Sequence, residues 1–532
     1  MPGGTGGVPP KFPPLLTWGI VPPLYRVLQK TIYYKCGRLT LSIAEILWSL
    51  APEIALFIGG VTVLAIDMVW KRVDEEREAT LLGLSVGFLI LAFVLLIGLG
   101  WSWGIEGKIL EMLAVDRFGL FFKLLAVVVT ALVLLTSYRY LEGRTPYRGE
   151  FYALFLFATL AIMLTVSAVN LLMVYLAFEF LSITSYILVG YLREDSKSNE
   201  AAIKYFLYGA TASALMLYGM SLLYGVTGTL DLAQVADALV HSQAGGWLAF
   251  PAIVLLLAGF GFKIALVPFH QWSPDTYEGA PTPVTAFLSV GPKSAGFAVL
   301  MRVFLTALPY FQVEWVAVLA GISMITMTLG NLVALRQENI KRMLAYSSIA
   351  HAGYILIGFV CLAKGTASNF TGINGVLIYL LAYLFTNIGA FTVVIAFERA
   401  TGSNRIADYA GLIKRSPLLA GVMAIFLFSL IGIPGTGGFI GKLFVFGAAI
   451  QVQFYVLALV AILNSVVSAF YYLNVVRHMF FLPGEAQGTI GVSPLHKWVL
   501  AICLVLTFLI GLYPQPFISL GTTSVQILAA VL

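Results

Sequence analysis

The stretch PAIVLLLAGFGFKIALVPFHQWSPDTYEGAPTPVTAF, residues 251–287, decides how the chain folds. It begins as an apolar run long enough to cross much of a bilayer. Inside that run stands a full charge, Lys263, and five residues later Pro268, followed by His270. A charge at the centre of a membrane helix costs about 2.5–3.5 kcal/mol on insertion scales. Proline removes a backbone hydrogen bond and crowds the preceding turn. Both are tolerated where the freed carbonyls and the ammonium face a polar cavity inside a membrane protein.

The rest of the chain agrees. Of 532 residues, 60% are hydrophobic and 11% charged, with a mean hydropathy of +0.94; soluble domains carry about 25% charged residues. The class is all-α and polytopic. Fourteen membrane segments are expected, near 50–70, 80–101, 118–138, 150–168, 169–191, 200–226, 247–271, 283–307, 312–335, 341–363, 372–398, 416–450, 453–477 and 496–513. The twelfth contains GIPGTGGF, residues 432–439, and is expected to be interrupted like the seventh. Residues 515–532 are expected to cap the bundle or lie along it.

The net charge of +6 suggests nucleic acid only until the charges are placed. They cluster in alternate loops: Lys71, Arg72 and Arg77; Arg139, Arg144 and Arg148; Arg193 and Lys197; Arg336, Lys341 and Arg342; Arg399, Arg405, Lys414 and Arg415; Arg477 and Lys497. The positive-inside rule puts these loops in the cytoplasm and both termini on the other side of a cell membrane, taken as a bacterial plasma membrane. Residues 1–40 carry basic residues on the wrong side of this scheme. They are expected to be a disordered extension or to precede the true start. The remaining divisions are 41–149 for the first three helices, 150–310 and 311–480 for two repeats, and 481–532 for the last helix and tail.

Mid-helix charges are the candidate functional groups: Glu179, Lys204, Lys263, Lys293 and Lys442, joined by His351. Each could be a structural pair or a satisfied core residue. Lys204 has Glu200 one turn earlier as a partner. Lys123 lies near a helix end and is expected to snorkel; Asp67 and Lys71 are expected to pair. Five charges at similar depth favour a shared role. At 4 Å and an effective dielectric of 20, an ion pair is worth about 4 kcal/mol. Separating it is enough to move a buried lysine between holding and releasing a proton near neutrality. Proton transfer of this kind needs no metal or nucleophile. Cys36, Cys361 and Cys503 show no ligand spacing, and no flavin or dinucleotide motif occurs. GGFIGK is not a P-loop, because Thr436 replaces a required glycine and Leu443 follows the lysine. Interruptions at matching places, in helices four to eight and nine to thirteen, mark an internally repeated transporter.

The segments KIALVPFHQWSPDTYEGAPTPVTAFLSVGPKSAGF, NIKRMLAYSSIAHAGYILIG and GIPGTGGFIGKLF resemble subunit N of the proton-pumping NADH:quinone oxidoreductases, the respiratory complex I family. They are also similar to the matching photosynthetic subunit and to Mrp-type antiporters. The resemblance spans about residues 45–513. It implies two inverted five-helix repeats and a polar axis along the membrane midplane. Glu179 and Lys263 would form a switchable pair, with Lys204 nearby on helix six. Lys293 and His351 would bridge the middle, and Lys442 would face the exit. Pro292 departs from the family pattern and raises the expectation of a kink beside Lys293. The resemblance implies no cofactor on this chain: NADH, FMN, iron–sulfur clusters and quinone belong to partner subunits. It implies M-like and K-like membrane neighbours, contact with lipid and none with nucleic acid. The competing readings are an Mrp-like Na⁺/H⁺ antiporter and a scaffold subunit whose charges are structural.

Overall fold

Inside hydrocarbon a backbone must satisfy its own polar groups, so apolar runs of this length become helices. The computed structural model describes residues 42–70, 75–101, 107–241, 245–361, 372–484 and 488–529. The expected extension at 1–40 and the partner assigned to Asp67, Lys71, lie outside them. In chain order the helices are α1 (Ile43–Ser49), α2 (Ala51–Val69), α3 (Glu75–Trp101), α4 (Arg117–Ser137), α5 (Gly149–Ser167), α6 (Leu171–Val189) and α7 (Ser196–Thr227). There follow α8 (Leu232–His241), α9 (Gly245–Ile264), α10 (Trp272–Gly279), α11 (Thr282–Ala307), α12 (Gln312–Ala334), α13 (Ile340–Val360) and α14 (Gly372–Thr401). The last are α15 (Leu412–Arg415), α16 (Pro417–Ile431), α17 (Gly437–Gln451), α18 (Tyr455–Phe481), α19 (Pro494–Leu512) and α20 (Gln515–Ala529). Between α3 and α4 a small hairpin, β1 (Gly107–Ile109) with β2 (Leu113–Val115), covers one end of the bundle.

Among the described residues twelve helices are long and apolar enough to cross a membrane unaided. Two further crossings are each made of two pieces, α9 with α10 and α16 with α17. Twelve and two make the fourteen expected. Pro268 is not inside a helix, however. α9 stops at Ile264, with Ala265 in the left-handed region at φ 59° and Leu266 N–H donating to Gly261 O at 2.8 Å. The Trp272 indole N–H then donates across the break to Phe262 O at 2.9 Å. In the twelfth crossing α16 ends at Ile431. Gly432 has φ 94°, and its N–H and that of Ile433 both donate to Phe428 O at 3.0 Å. Left-handed glycine after the last turn is the usual way to satisfy these carbonyls.

The centre consists of α11, α13 and α14, which are enclosed almost along their whole length. The outer helices expose apolar side chains such as Ile90, Phe206 and Leu463, as a lipid-facing surface requires. α20 packs on α4, α11 and α14, and Asn374 Nδ2 donates to Thr522 Oγ1 at 3.0 Å. Pro292 does not interrupt α11, which runs through it.

One ion pair in the first third corrects the sequence reading. Lys123 does not snorkel; it is buried and bonds Glu53 of α2 at 2.7 Å. Asp67 pairs with Arg77. Arg302 of α11, passed over in the sequence, is buried and grips Asp116 with two N–H groups at 2.7 and 3.0 Å.

Candidate functional site

Lys263 occupies the last turn of α9, where the negative end of the helix dipole favours a cation. Only 1% of the residue is exposed. Its ammonium donates to Ser182 Oγ of α6 at 2.7 Å and lies 4.7 Å from the Phe178 ring centroid. Glu179 stands three residues before Ser182 on the same helix and accepts from Ser213 of α7. The expected partners therefore share a face of α6 without touching, each held by a serine.

Gly296 opens α11 to Lys263: a Cβ there would lie 3.3 Å from Lys263 Cγ. One turn earlier on the same helix is Lys293, 3% exposed. Its ammonium donates to Ser348 O at 3.0 Å and to Ser348 Oγ. Tyr383 donates to the same Oγ at 2.9 Å. His351, one turn on from Ser348, bonds Tyr379 through Nδ1 at 2.8 Å and Tyr472 through Nε2 at 3.3 Å. Lys293, His351, Ser348 and Tyr383 line a cavity of about 10 Å³, room for a single water at the limit.

From His351 the polar network continues. Tyr472 bonds Ser347, and the Tyr471 hydroxyl donates to Asn331 Oδ1 at 3.0 Å. Asn331 Nδ2 donates to the Tyr354 hydroxyl at 2.9 Å. The Tyr354 ring lies 5.0 Å from Lys442 Nζ. Lys442, 4% exposed, donates to Ser465 Oγ at 2.8 Å and to Ile431 O at 2.7 Å. Ile431 is the last residue of α16, so this ammonium also sits on a helix C-terminus. The two broken helices thus do the same electrostatic work for two lysines.

Lys204 is set apart from these. Its side chain is 39% exposed and bonds Glu200 at 2.6 Å and Asp275 at 2.8 Å. It is part-exposed and ion-paired on both sides, including with Glu200 one turn earlier, the partner expected from the sequence.

The sequence reading missed the polar groups around the charges: Ser182, Ser213, Ser347, Ser348, Ser465, Tyr379, Tyr383, Tyr472 and Asn331. One signal was available. In YSSIAH, residues 346–351, two serines precede His351 by three and four positions and so share its helix face.

A second, larger cavity of about 720 Å³ opens where α10 meets α11, lined by Arg144, Glu278, Lys341, Glu398 and Arg405 among others. Glu398 accepts from Tyr140 at 3.0 Å, Arg144 at 3.1 Å and Thr282. Lys341 donates to Ala280 O at 2.7 Å. Burial pushes the Tyr140 phenol up, and the negative Glu398 adds to this. Among the described residues no group of three or more His, Cys, Asp or Glu could hold a metal.

Comparison with known proteins gives a consistent result. The family described as NADH:quinone oxidoreductase/Mrp antiporter, transmembrane, matches residues 168–468. A protein of Trichlorobacter lovleyi named NADH-quinone oxidoreductase subunit N is 43% identical over 441 residues, covering 82% of this chain and 88% of its own. A chain of Thermus thermophilus respiratory complex I, solved with bound aureothin, is 33% identical with a TM-score of 0.73, over 88% of this chain and 98% of its own. A chain of the Mrp complex from Dietzia shares the fold, with a TM-score of 0.79 at 22% identity, over 92% of this chain and all of that one.

Proposed function

Because the chain belongs to the NADH:quinone oxidoreductase/Mrp antiporter transmembrane family, we propose that it is the N-type proton-translocating membrane subunit of an NADH:quinone oxidoreductase. The observation that carries this is the enclosed series Lys263, Lys293, His351 and Lys442, each held by hydroxyl or main-chain carbonyl groups at the centre of the bundle. Redox chemistry belongs to partner subunits, which hold NADH, FMN, iron–sulfur clusters and quinone. This chain's residues bind, hold and pass protons. The family relationship brings further membrane subunits as neighbours, M-like and K-like. The positive-inside rule supports a cytoplasmic side for the loops rich in lysine and arginine, and with them for the large cavity at Glu398, which in this reading supplies the protons.

The Glu179–Lys263 pair works as follows. With the two groups apart, as here, Lys263 loses the attraction of about 4 kcal/mol that a carboxylate at 4 Å supplies and is readier to give up its proton. Closure of the pair holds the proton. Repeating the same logic at Lys293 and Lys442 moves charge towards the second half.

The test is Lys263→Ala and Lys442→Ala in the assembled complex, with NADH oxidation and proton uptake measured in inside-out vesicles. Loss of uptake with assembly intact is expected. Unimpaired pumping would leave a scaffold subunit. A dependence of uptake on Na⁺ would favour the antiporter reading.

A further inference from the structure

Half-helix α10 is tied to both lysines nearest the first break. At one end the Trp272 indole bonds Phe262 O, one residue before Lys263, and Trp272 stacks on Tyr205 of α7 at 4.4 Å. On its inner face the Tyr277 ring lies 5.8 Å from Lys293 Nζ. The hydroxyls of Ser273, Thr276 and Tyr277 are buried without a protein partner. On that face the polar ties of α10 are the Trp272 indole bond to Phe262 O and the Thr285 hydroxyl donating to Tyr277 O at 3.0 Å, both to main-chain carbonyls; no side-chain charge holds it there.

The outer face differs. Asp275 offers one carboxylate oxygen to Lys204 of α7 at 2.8 Å and the other to Arg342 of α13. Arg342 also reaches Glu278 at 3.2 Å, and Glu200 backs Lys204 at 2.6 Å. One carboxylate on an eight-residue helix is therefore pulled by cations from both halves of the chain. These pairs are about one-third exposed, so each is individually weak, and a network is what gives them weight.

We propose that Asp275 is a positioning residue: a two-sided latch that fixes α10 between α7 and α13 and thereby sets the surroundings of Lys263 and Lys293. Lys204 serves here as a latch cation, not as a proton carrier. The inference rests on the proton route proposed above for its functional consequence, and on geometry alone for the latch.

The test uses the whole assembled complex carrying D275N, D275E, K204Q or R342Q. Hydrogen–deuterium exchange is followed through residues 265–282, and proton uptake per NADH oxidised is measured beside it. D275N should speed exchange in α10 about threefold or more, leave α11 and α14 unchanged, and lower uptake per NADH. K204Q and R342Q should each give part of the effect, and D275E should restore most of it. If D275N does not assemble, R342Q carries the same test. Exchange unchanged in D275N and R342Q overturns the latch, whatever the pumping does. Faster exchange with full pumping per NADH overturns its link to the lysines. Normal pumping by Lys263→Ala would fail the proton route while leaving the exchange result standing.

Discussion

Lys263 and Glu179 do not touch: the ammonium donates to Ser182 Oγ at 2.7 Å, one turn along α6 from the carboxylate, which is held instead by Ser213 of α7. On the switch proposed above, the pair alternates between this open arrangement and a closed one. Ser182→Ala removes a hydrogen bond to a charged group, about 1.5–3 kcal/mol, and leaves Glu179 as the better partner. Slower turnover is expected, with the complex still assembled. Glu179→Gln removes the closed arrangement and should cut proton uptake about tenfold or more. NADH oxidation and pH-gradient formation in vesicles check both.

Gly432 is the hinge of the second break. Its φ of 94° disfavours any side chain, and a Cβ would come within 2.9 Å of Lys442 Cδ. Gly432→Ala is expected to cost roughly 1–2 kcal/mol in backbone strain and to push Lys442 off the Ile431 carbonyl. A lower melting temperature together with reduced pumping is the expected pattern. Gly421→Ala, at a position with nothing within 4 Å of its Cβ, should change neither.

The buried Glu53–Lys123 pair predicts an asymmetry. Removing one partner leaves an uncompensated charge, a loss of about 3–5 kcal/mol. Lys123→Met should therefore impair assembly, and the double variant Lys123→Met with Glu53→Gln should recover most of it. The yield of complex on native gels reads this directly.

Asp116 predicts a pH dependence. Burial pushes its carboxyl up, but the Arg302 guanidinium and the Gly119 N–H outweigh this and hold it below the usual 3.8. A carboxyl depressed in the folded state adds stability that is present above its ordinary value. That stability is lost as pH falls through the folded value. Asp116→Asn should lower the melting temperature at pH 7, and the gap to wild type should close only below about pH 4. Thermal unfolding of the complex from pH 7 to pH 3 measures it.

The helices and both breaks were legible because they are local. Apolar length marks each crossing, and Pro268 and GIPGTGG interrupt the pattern where backbone bonds fail. Lys263, Lys293, His351 and Lys442 were legible as charges far from any segment end. Lys204 was less legible because depth is not local. α7 has 32 residues, about 48 Å at 1.5 Å per residue, and outreaches a hydrocarbon layer of about 30 Å. A position two turns from the start of so long a helix, such as Lys204, is not fixed in depth by the sequence. The Glu53–Lys123 pair and the serine and tyrosine connectors were not legible, since their partners are distant in the chain and a serine on an apolar helix looks like any small residue.

The space between Lys293 and His351 is about 10 Å³, room for one water at the limit and not for a file of them. On the proton route proposed above, transfer between Lys293 and His351 depends on a single occupant: with it the two sides are wired together, and without it they are insulated. Ala352 borders that space. A valine at this position would fill it and break the circuit while leaving every charge in place.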